Sequence, residues 1–575
     1  MPNFFTDTPD LPLHFDRLDL EEVVSVLEHG FTSHEKFEDA PTSYKEAMEL
    51  YRAALELTGD ITGNGIEPLA AGVDIEGATL ADGKVTYAQG SQTAIRLLGE
   101  SGLMGVILPH EVGGKNFPAT IYMMMIEMVS RADASLMTMF GYQDVGESIA
   151  RWGEPEFARE FLEPYCRGEK IGAMVLSEPA AGSDLQSIQL RAFQDDEGKW
   201  RLNGTKHFIS NGNGQVLLAL ARSDGEGRGP FCLSLFAVDG NDERVVVERI
   251  EEKMGLHGSP TCELFFDDAP CELVGKRKFG LMYTVQILNH ARFSVAAQGL
   301  GIAEAAYEQV NAHTRQRKQF DQTLFSMPPV ANRLIDLRVS LDAARAMLYD
   351  GAQVLDRRNK REEHLEQLKA RKEKGDHVKA LRKAFKDADA ELGLLSPLVK
   401  YWVTEEANRI CYLAQQLHGG MGYMRELPLE RYVRDVRITS IYEGATDVMV
   451  GMALRAILAD PMTARMDAWE AAQVPAALQP VHAQLVGARA HCTRASELLA
   501  EREDDVRQAS AKLLTDAFAM LYGGHLLLRL AVDVEPKAAI ARRFAARALA
   551  GAQAAVAAIE AGVCDDVASA DTICG

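Results

Sequence analysis

Five strings carry residue types that could do chemistry: MVLSEPAAGSD (174–184), FISNG (208–212), NHARF (289–293) with RQRKQF (315–320), QLHGGMGY (416–423) and IYEGATDVM (441–449). The Gly- and Ser-rich SEPAAGSD loop offers backbone N–H groups and hydroxyls to a ring edge or a phosphate. Arg317 and Lys318 could meet a pyrophosphate through charge-assisted hydrogen bonds. The glycines of HGGMGY would let another backbone or a ligand approach closely. A carboxylate such as Glu443 can act as a general base where it loses its water, because desolvation raises a carboxyl pKa toward the working range. Taken singly, each string has a plain structural reading: a turn, a strand end, a surface ion pair, a helix C-cap and a solvated turn glutamate.

The elements that must hold these strings follow from periodicity. Positions 44–58, 88–101 and 119–132 place apolar residues at three- and four-residue spacings, which predicts helices. The MMMIEM run at 123–128 reads as helix core, or as an adaptable lining for an apolar ligand. From 171 to about 275, short β-type runs alternate with Gly, Asn, Asp and Pro, which predicts a compact antiparallel β-domain. No G-x-G-x-x-G follows a strand there, so a Rossmann dinucleotide site is not expected. From 279 the pattern is helical again, with long helices over 279–320 and from 329, and a further one over 397–417. The fold class is therefore α+β multidomain: an N-terminal helical domain with extension (1–165), a central β-domain (166–278), a helical-bundle domain (279–458) and an extra, separate C-terminal helical domain (459–575). A basic insertion near 356–390 reads as a solvated helical hairpin, or as a docking surface for an acidic partner or anionic ligand.

Of the 575 residues, 47% are apolar and 25% charged, as in soluble globular proteins. Lys+Arg 61 against Asp+Glu 83 leaves −22, a field that repels nucleic acid. The eight cysteines form no C-x-x-C pair and no cluster with His, which predicts a reduced, cytoplasmic protein with no metal site. The N-terminal stretch reads as neither a secretory signal nor a transit peptide. No run of about 18 apolar residues predicts a membrane span.

As an ordered set, the strings resemble the acyl-CoA dehydrogenase family: LSEPAAGSD, the strand-end SNG, RKQF, Q-x-x-GG and YEG stand in that family's order and approximate spacing. The resemblance covers roughly 45–458. The long tail is similar to larger members, such as the very-long-chain and methylmercaptopropionyl-CoA types. It implies FAD-dependent α,β-dehydrogenation of an acyl-CoA to the 2,3-enoyl-CoA, with Glu443 as the base and electron-transfer flavoprotein as the acceptor. Met174, Leu176 and Ser177 would lie against the flavin ring, and Phe208 and Ser210 on its other side. Ser183 would stand near the pantetheine arm, Asn289 and Arg292 at the CoA phosphates and adenine, and Gly444 beside the substrate. Arg317, Gln319 and Phe320 would meet the FAD pyrophosphate and adenine. Gln416, Gly419 and Gly420 would reach FAD from a neighbouring subunit, and Asp447 lies in the same cofactor-binding ending. Some members carry the base just before the CoA-binding arginine; here that residue is Ala291, so Glu443 is the candidate at either family position. Departures are Ala445 and Asp447 in the YEG ending, Phe208 where many members have Trp, Asp321 after RKQF, and Met327-Pro328 for a polar pair.

Two other readings stand beside this one: an oxygen-reacting acyl-CoA oxidase or flavin monooxygenase of the same fold, and a non-catalytic flavin-fold scaffold. The resemblance implies a homodimer or homotetramer, with the tail covering the face through which smaller members pair dimers. Nucleic acid is not an expected partner. Membrane contact is not the main expectation, although Arg542, Arg543 and Arg547 on an Ala-rich helix could face lipid.

Overall fold

The computed structural model describes residues 2–225 and 229–575. The chain forms two compact units. The first comprises residues 1–302 with 430–438, the second 303–429 with 439–575. The helix Gly280–Gln316 contributes to both.

In the first unit, helices Tyr44–Asp60, Gln89–Glu100, Ala119–Ala132, Gln143–Trp152 and Pro155–Cys166 precede one sheet. The chain's start folds onto the first of them. Phe5 and Phe15 are buried in a T-shaped pair, and the Arg52 guanidinium sits 4.7 Å over Phe15. The methionines of Ala119–Ala132 are core: Met123, Met124 and Met125 are fully buried. Ser294 Oγ approaches the Met123 sulfur at 3.8 Å, and Gln298 donates to the Ala134 carbonyl at 2.9 Å.

Among the described residues, eight strands form the sheet: β1 Gly172–Val175, β2 Arg191–Gln194, β3 Trp200–Ser210, β4 Val216–Arg222, β5 Leu233–Asp239, β6 Val245–Ile250, β7 Thr261–Pro270 and β8 Glu272–Val274. The order is β8-β5-β4-β2-β3-β7-β6, with β1 beside β4. Pairing is mainly antiparallel, as the punctuated short runs predict. The exceptions are β1 and β2, which run parallel to β4. All seven positions of β4 are buried, the mark of a strand covered on both faces.

The second unit is helical. Pro328–Ala370 and Asp376–His418 form a long antiparallel hairpin. The helix expected to begin at 397 instead starts at Asp376 and runs through Pro397, which is buried inside it. Neighbouring helices override the break that proline alone would favour. The C-terminal helices Gln479–Ala500, Ala511–Asp533 and Ala538–Glu560 belong to this same unit rather than to a separate one. Lys537 Nζ meets Asp342 at 2.6 Å, Arg543 Nε meets Asp336 at 2.8 Å, and Arg465 and Tyr522 both bond Asp350. Two of the three arginines considered for a lipid surface, Arg543 and Arg547, thus bond within the protein: Arg547 donates to Ser340 Oγ at 3.1 Å. Among the described residues, no single helix is long and apolar enough to cross a membrane.

In the first unit, Asp435 is buried beside Asp133, and its carboxylate accepts the Leu256 N–H at 2.7 Å. Burial holds its pKa up at about 7, against 3.8 unfolded, with Asp133 adding to the rise. The folded chain therefore binds this proton more tightly than the unfolded chain does. Its stabilising effect is full below about pH 4 and is lost as pH rises through about 7. Asp435→Asn keeps the acceptor and removes the charge. Urea midpoints should therefore fall less between pH 4 and 7 than in the wild type, and at pH 8 the variant should be more stable, by up to about 4 kcal/mol.

Candidate active site

In the first unit the SEPAAGSD loop follows β1 directly. Met174 and Leu176 are buried, Ser177 is half-buried and Ser183 is exposed. The loop closes on itself through reciprocal backbone bonds between Glu178 and Ala181, 2.9 and 3.0 Å. Glu178 then pins it: its carboxylate accepts the N–H groups of Gln189 (2.5 Å) and Leu190 (2.9 Å). Lys206, fully buried on β3, donates to the Leu176 carbonyl at 2.6 Å and pairs with Glu178 at 2.9 Å. Burial pushes the Lys206 pKa down to about 8, and Glu178 opposes that fall.

One residue further along β3, the His207 N–H donates to the Ser177 carbonyl at 2.9 Å. That bond sets Leu176 and Ser177 alongside Phe208. Between the pairs Lys206↔Leu264 and Ile209↔Cys262, His207 and Phe208 face the single residue Glu263. This is a β-bulge, which re-aims a side chain at a strand end. Phe208 takes φ +61 and is 61% exposed. Ser210, half-buried, closes the strand. An aromatic face and a row of hydroxyl and backbone polar groups are thus presented together, which suits the edge and face of a flat heteroaromatic cofactor.

Asn289 and Arg292 stand one turn apart on Gly280–Gln316, so they share a face. Arg292 Nη1 donates to Asn289 Oδ1 at 3.3 Å. Arg292 is buried, and Ala291 beside it carries no acid–base group.

In the second unit, Arg317 ends that long helix and opens a hairpin, Lys318–Gln319 against Gln322–Thr323. Phe320 at its tip has φ +53 and is 87% exposed. The HGGMGY string ends Asp376–His418: Gly419 takes φ +61 and ψ −144, a backbone conformation that favours glycine. A Cβ on Gly419 or Gly420 would meet nothing within 4 Å, whereas one on Gly422 would meet the Gln415 carbonyl at 2.6 Å. The first two glycines therefore leave room for an approaching group, and the third is required by its own chain. Stacked rings of His313 and His418, 4.2 Å apart, hold this cap beside the RKQF hairpin, so exposed Gln416, Arg317 and Gln319 lie at neighbouring helix ends.

Glu443 has φ +54 and Gly444 φ +108. The pair turns the chain into helix Thr446–Ala459. Buried Lys400 donates to the Gly444 carbonyl at 2.6 Å, and Thr446 Oγ1 bonds both Glu405 and the Ser440 carbonyl. Glu443 is half-buried, and Asp447 is exposed in the helix's first turn. Among the described residues, His207, Glu251 and Glu263 have ligand atoms within 4.8 Å of one another. The Arg249 guanidinium bonds all three and supplies the positive charge there.

Three family models match the chain: acyl-CoA dehydrogenase N-terminal domain over 49–169, middle domain over 173–269, and C-terminal domain over 279–374 and 377–458. An acyl-CoA dehydrogenase of Bacillus subtilis (strain 168) is 31% identical over 362 residues, 62% of this chain and 86% of that one. A 3-methylmercaptopropionyl-CoA dehydrogenase of Ruegeria pomeroyi is 30% identical over 467 residues, 77% of this chain and 76% of that one. An acyl-CoA dehydrogenase complexed with FAD from Bacillus anthracis superimposes with TM-score 0.73 over 90% of this chain and 88% of that one; at 22% identity it speaks for the fold.

The matched ranges run through the hairpin read from sequence as an insertion, with a gap of only two residues at its tip. In the structure that stretch is the tip of the hairpin formed by Pro328–Ala370 and Asp376–His418. Sequence reasoning also passed over Glu178, Lys206, Lys400, His313 and His418. A buried Lys flanked by strand residues was visible in KHFIS, but its partner was not. Lys206→Ala leaves the Glu178 carboxylate buried without its cation. Denaturant unfolding should show a loss of about 3 kcal/mol or more.

Proposed function

Since the chain belongs to the acyl-CoA dehydrogenase family, and so is an FAD-dependent acyl-CoA dehydrogenase, we propose that Glu443 is the base that removes the proton α to the thioester carbonyl. The observation that carries this is the turn. A carboxylate is held at a left-handed backbone position, with a glycine after it and a buried lysine fixing the next carbonyl. Such a turn presents the acid without a helix or strand constraining its reach. Gly444 has no Cβ to obstruct a thioester beside the base. The Glu443 backbone N–H is proposed as a donor to the thioester oxygen, where negative charge develops as the proton leaves. The base accepts the proton on its carboxylate. FAD, when bound, supplies the acceptor for the β-hydrogen, which leaves as hydride.

The roles of the other residues follow. Met174, Leu176, Ser177, Phe208 and Ser210 in the first unit are proposed for the flavin ring. Arg317, Gln319, Phe320, Gln416, Gly419, Gly420 and Asp447 in the second are proposed for the rest of FAD. Ser183, Asn289 and Arg292 are proposed for CoA, with Arg292 suited to phosphate by its planar fork of donors. Electron-transfer flavoprotein is proposed as the physiological acceptor.

Glu443→Gln should retain FAD, seen in the visible flavin bands, and should still bind acyl-CoA. Its kcat with an artificial acceptor should drop by about 10³-fold or more. A wild-type rate in that variant would remove Glu443 from the role. Running the wild type anaerobically against a panel of acyl-CoAs, with and without purified electron-transfer flavoprotein, identifies the acyl group and tests the acceptor.

A further inference from the structure

His207 has no part in the roles above, yet its ring is tethered directly against Phe208. The two rings lie face to face, centroids 3.9 Å apart and planes within 14°. Nε2 of His207 lies 2.8 Å from Glu251 Oε1 and 3.0 Å from Arg249 Nη2. Arg249 reaches on to Glu263 at 2.7 Å and to Glu251 at 3.1 Å. Nδ1 is buried with no hydrogen-bond partner among the described residues. Both polar contacts of the ring therefore fall on Nε2, one to the Glu251 carboxylate and one to the Arg249 guanidinium, which also neutralises that carboxylate.

Phe208 needs such a tether. Its left-handed backbone and 61% exposure leave it without core packing to fix its rotamer. The bulge that exposes it also draws in its neighbours. Arg249 pairs with Glu263 across a second irregularity, between Val247 and Arg249 on β6, so adjacent strands deliver the clamp at the level of the bulge. His207 covers one face of the Phe208 ring and leaves the other open.

We propose that His207 is a positioning residue that fixes the plane of Phe208 against the FAD ring, locked in turn by Glu251 and Arg249. This rests on the reading of Phe208 as the residue flanking the flavin. The test titrates FAD into apoprotein and records the visible flavin spectrum of the holoenzyme for His207→Ala, His207→Phe, Glu251→Gln and Phe208→Ala. His207→Ala should weaken FAD binding about three- to tenfold, displace the flavin bands and lower kcat more than it raises KM for acyl-CoA. His207→Phe, which keeps a ring on Phe208, should recover most of the affinity. If His207→Ala binds FAD with wild-type affinity and spectrum while Phe208→Ala does not, the positioning role is overturned and the flanking role of Phe208 survives. If Phe208→Ala is itself wild-type in both, the flanking reading falls and takes the proposal with it. Should His207→Ala not fold, Glu251→Gln decides: displaced bands support the clamp, and a wild-type spectrum overturns it.

Discussion

Left-handed backbone at three non-glycine residues is the constraint on which the candidate site depends. Phe208, Phe320 and Glu443 have φ +61, +53 and +54. Side chains with a Cβ avoid this region, and such conformations persist only where the surroundings over-determine them. Here the surroundings do so in three ways. A β-bulge holds Phe208, a two-strand hairpin holds Phe320, and a glycine with a lysine-bound carbonyl holds Glu443. In each case a residue proposed for the site departs from regular helix or strand backbone.

Buried charge is the second theme. Lys206 and Lys400 are both fully buried, and both donate to the carbonyl of a residue in a site loop. An ammonium in a dry interior is costly, and a hydrophobic replacement of similar volume is often no less stable. What the lysines contribute is placement. A carbonyl held by a charged donor has one orientation, and the loop on either side inherits it. Glu178 extends this on the first unit by gathering two backbone N–H groups and the Lys206 ammonium around one carboxylate.

The legibility of the sequence divides along range. Motifs that act through their own backbone could be read directly, because turn glycines and short polar strings report local geometry. The helix–β–helix order was legible from a change of period between 3.6 and 2. What escaped depends on partners far along the chain. The bulge at His207 and Phe208 is a register shift against β7, and no residue of KHFIS announces it. The stack of His313 on His418 joins positions a hundred residues apart. The parallel placement of β1 and β2 beside β4 is a topological fact that alternation cannot encode. The arginines of Ala538–Glu560 looked like a surface cluster because the partners of Arg543 and Arg547, Asp336 and Ser340, lie about two hundred residues earlier.

Acidic partners of this kind explain why the C-terminal helices cannot be treated as an appendage. Asp336, Asp342 and Asp350 lie along Pro328–Ala370 and each receives a cation from beyond 459: Arg543, Lys537 and Arg465. Asp342 is almost wholly buried, and Arg338 of its own helix bonds it as well. Its carboxyl is held below the ordinary range: burial alone would raise it, but the Arg338 and Lys537 charges outweigh that effect. Were the C-terminal helices absent, Asp342 would lose Lys537 and the core helix would carry acids whose partners had gone. The helix that opens just after the RKQF hairpin is therefore built to be covered, and the covering is a condition of its sequence.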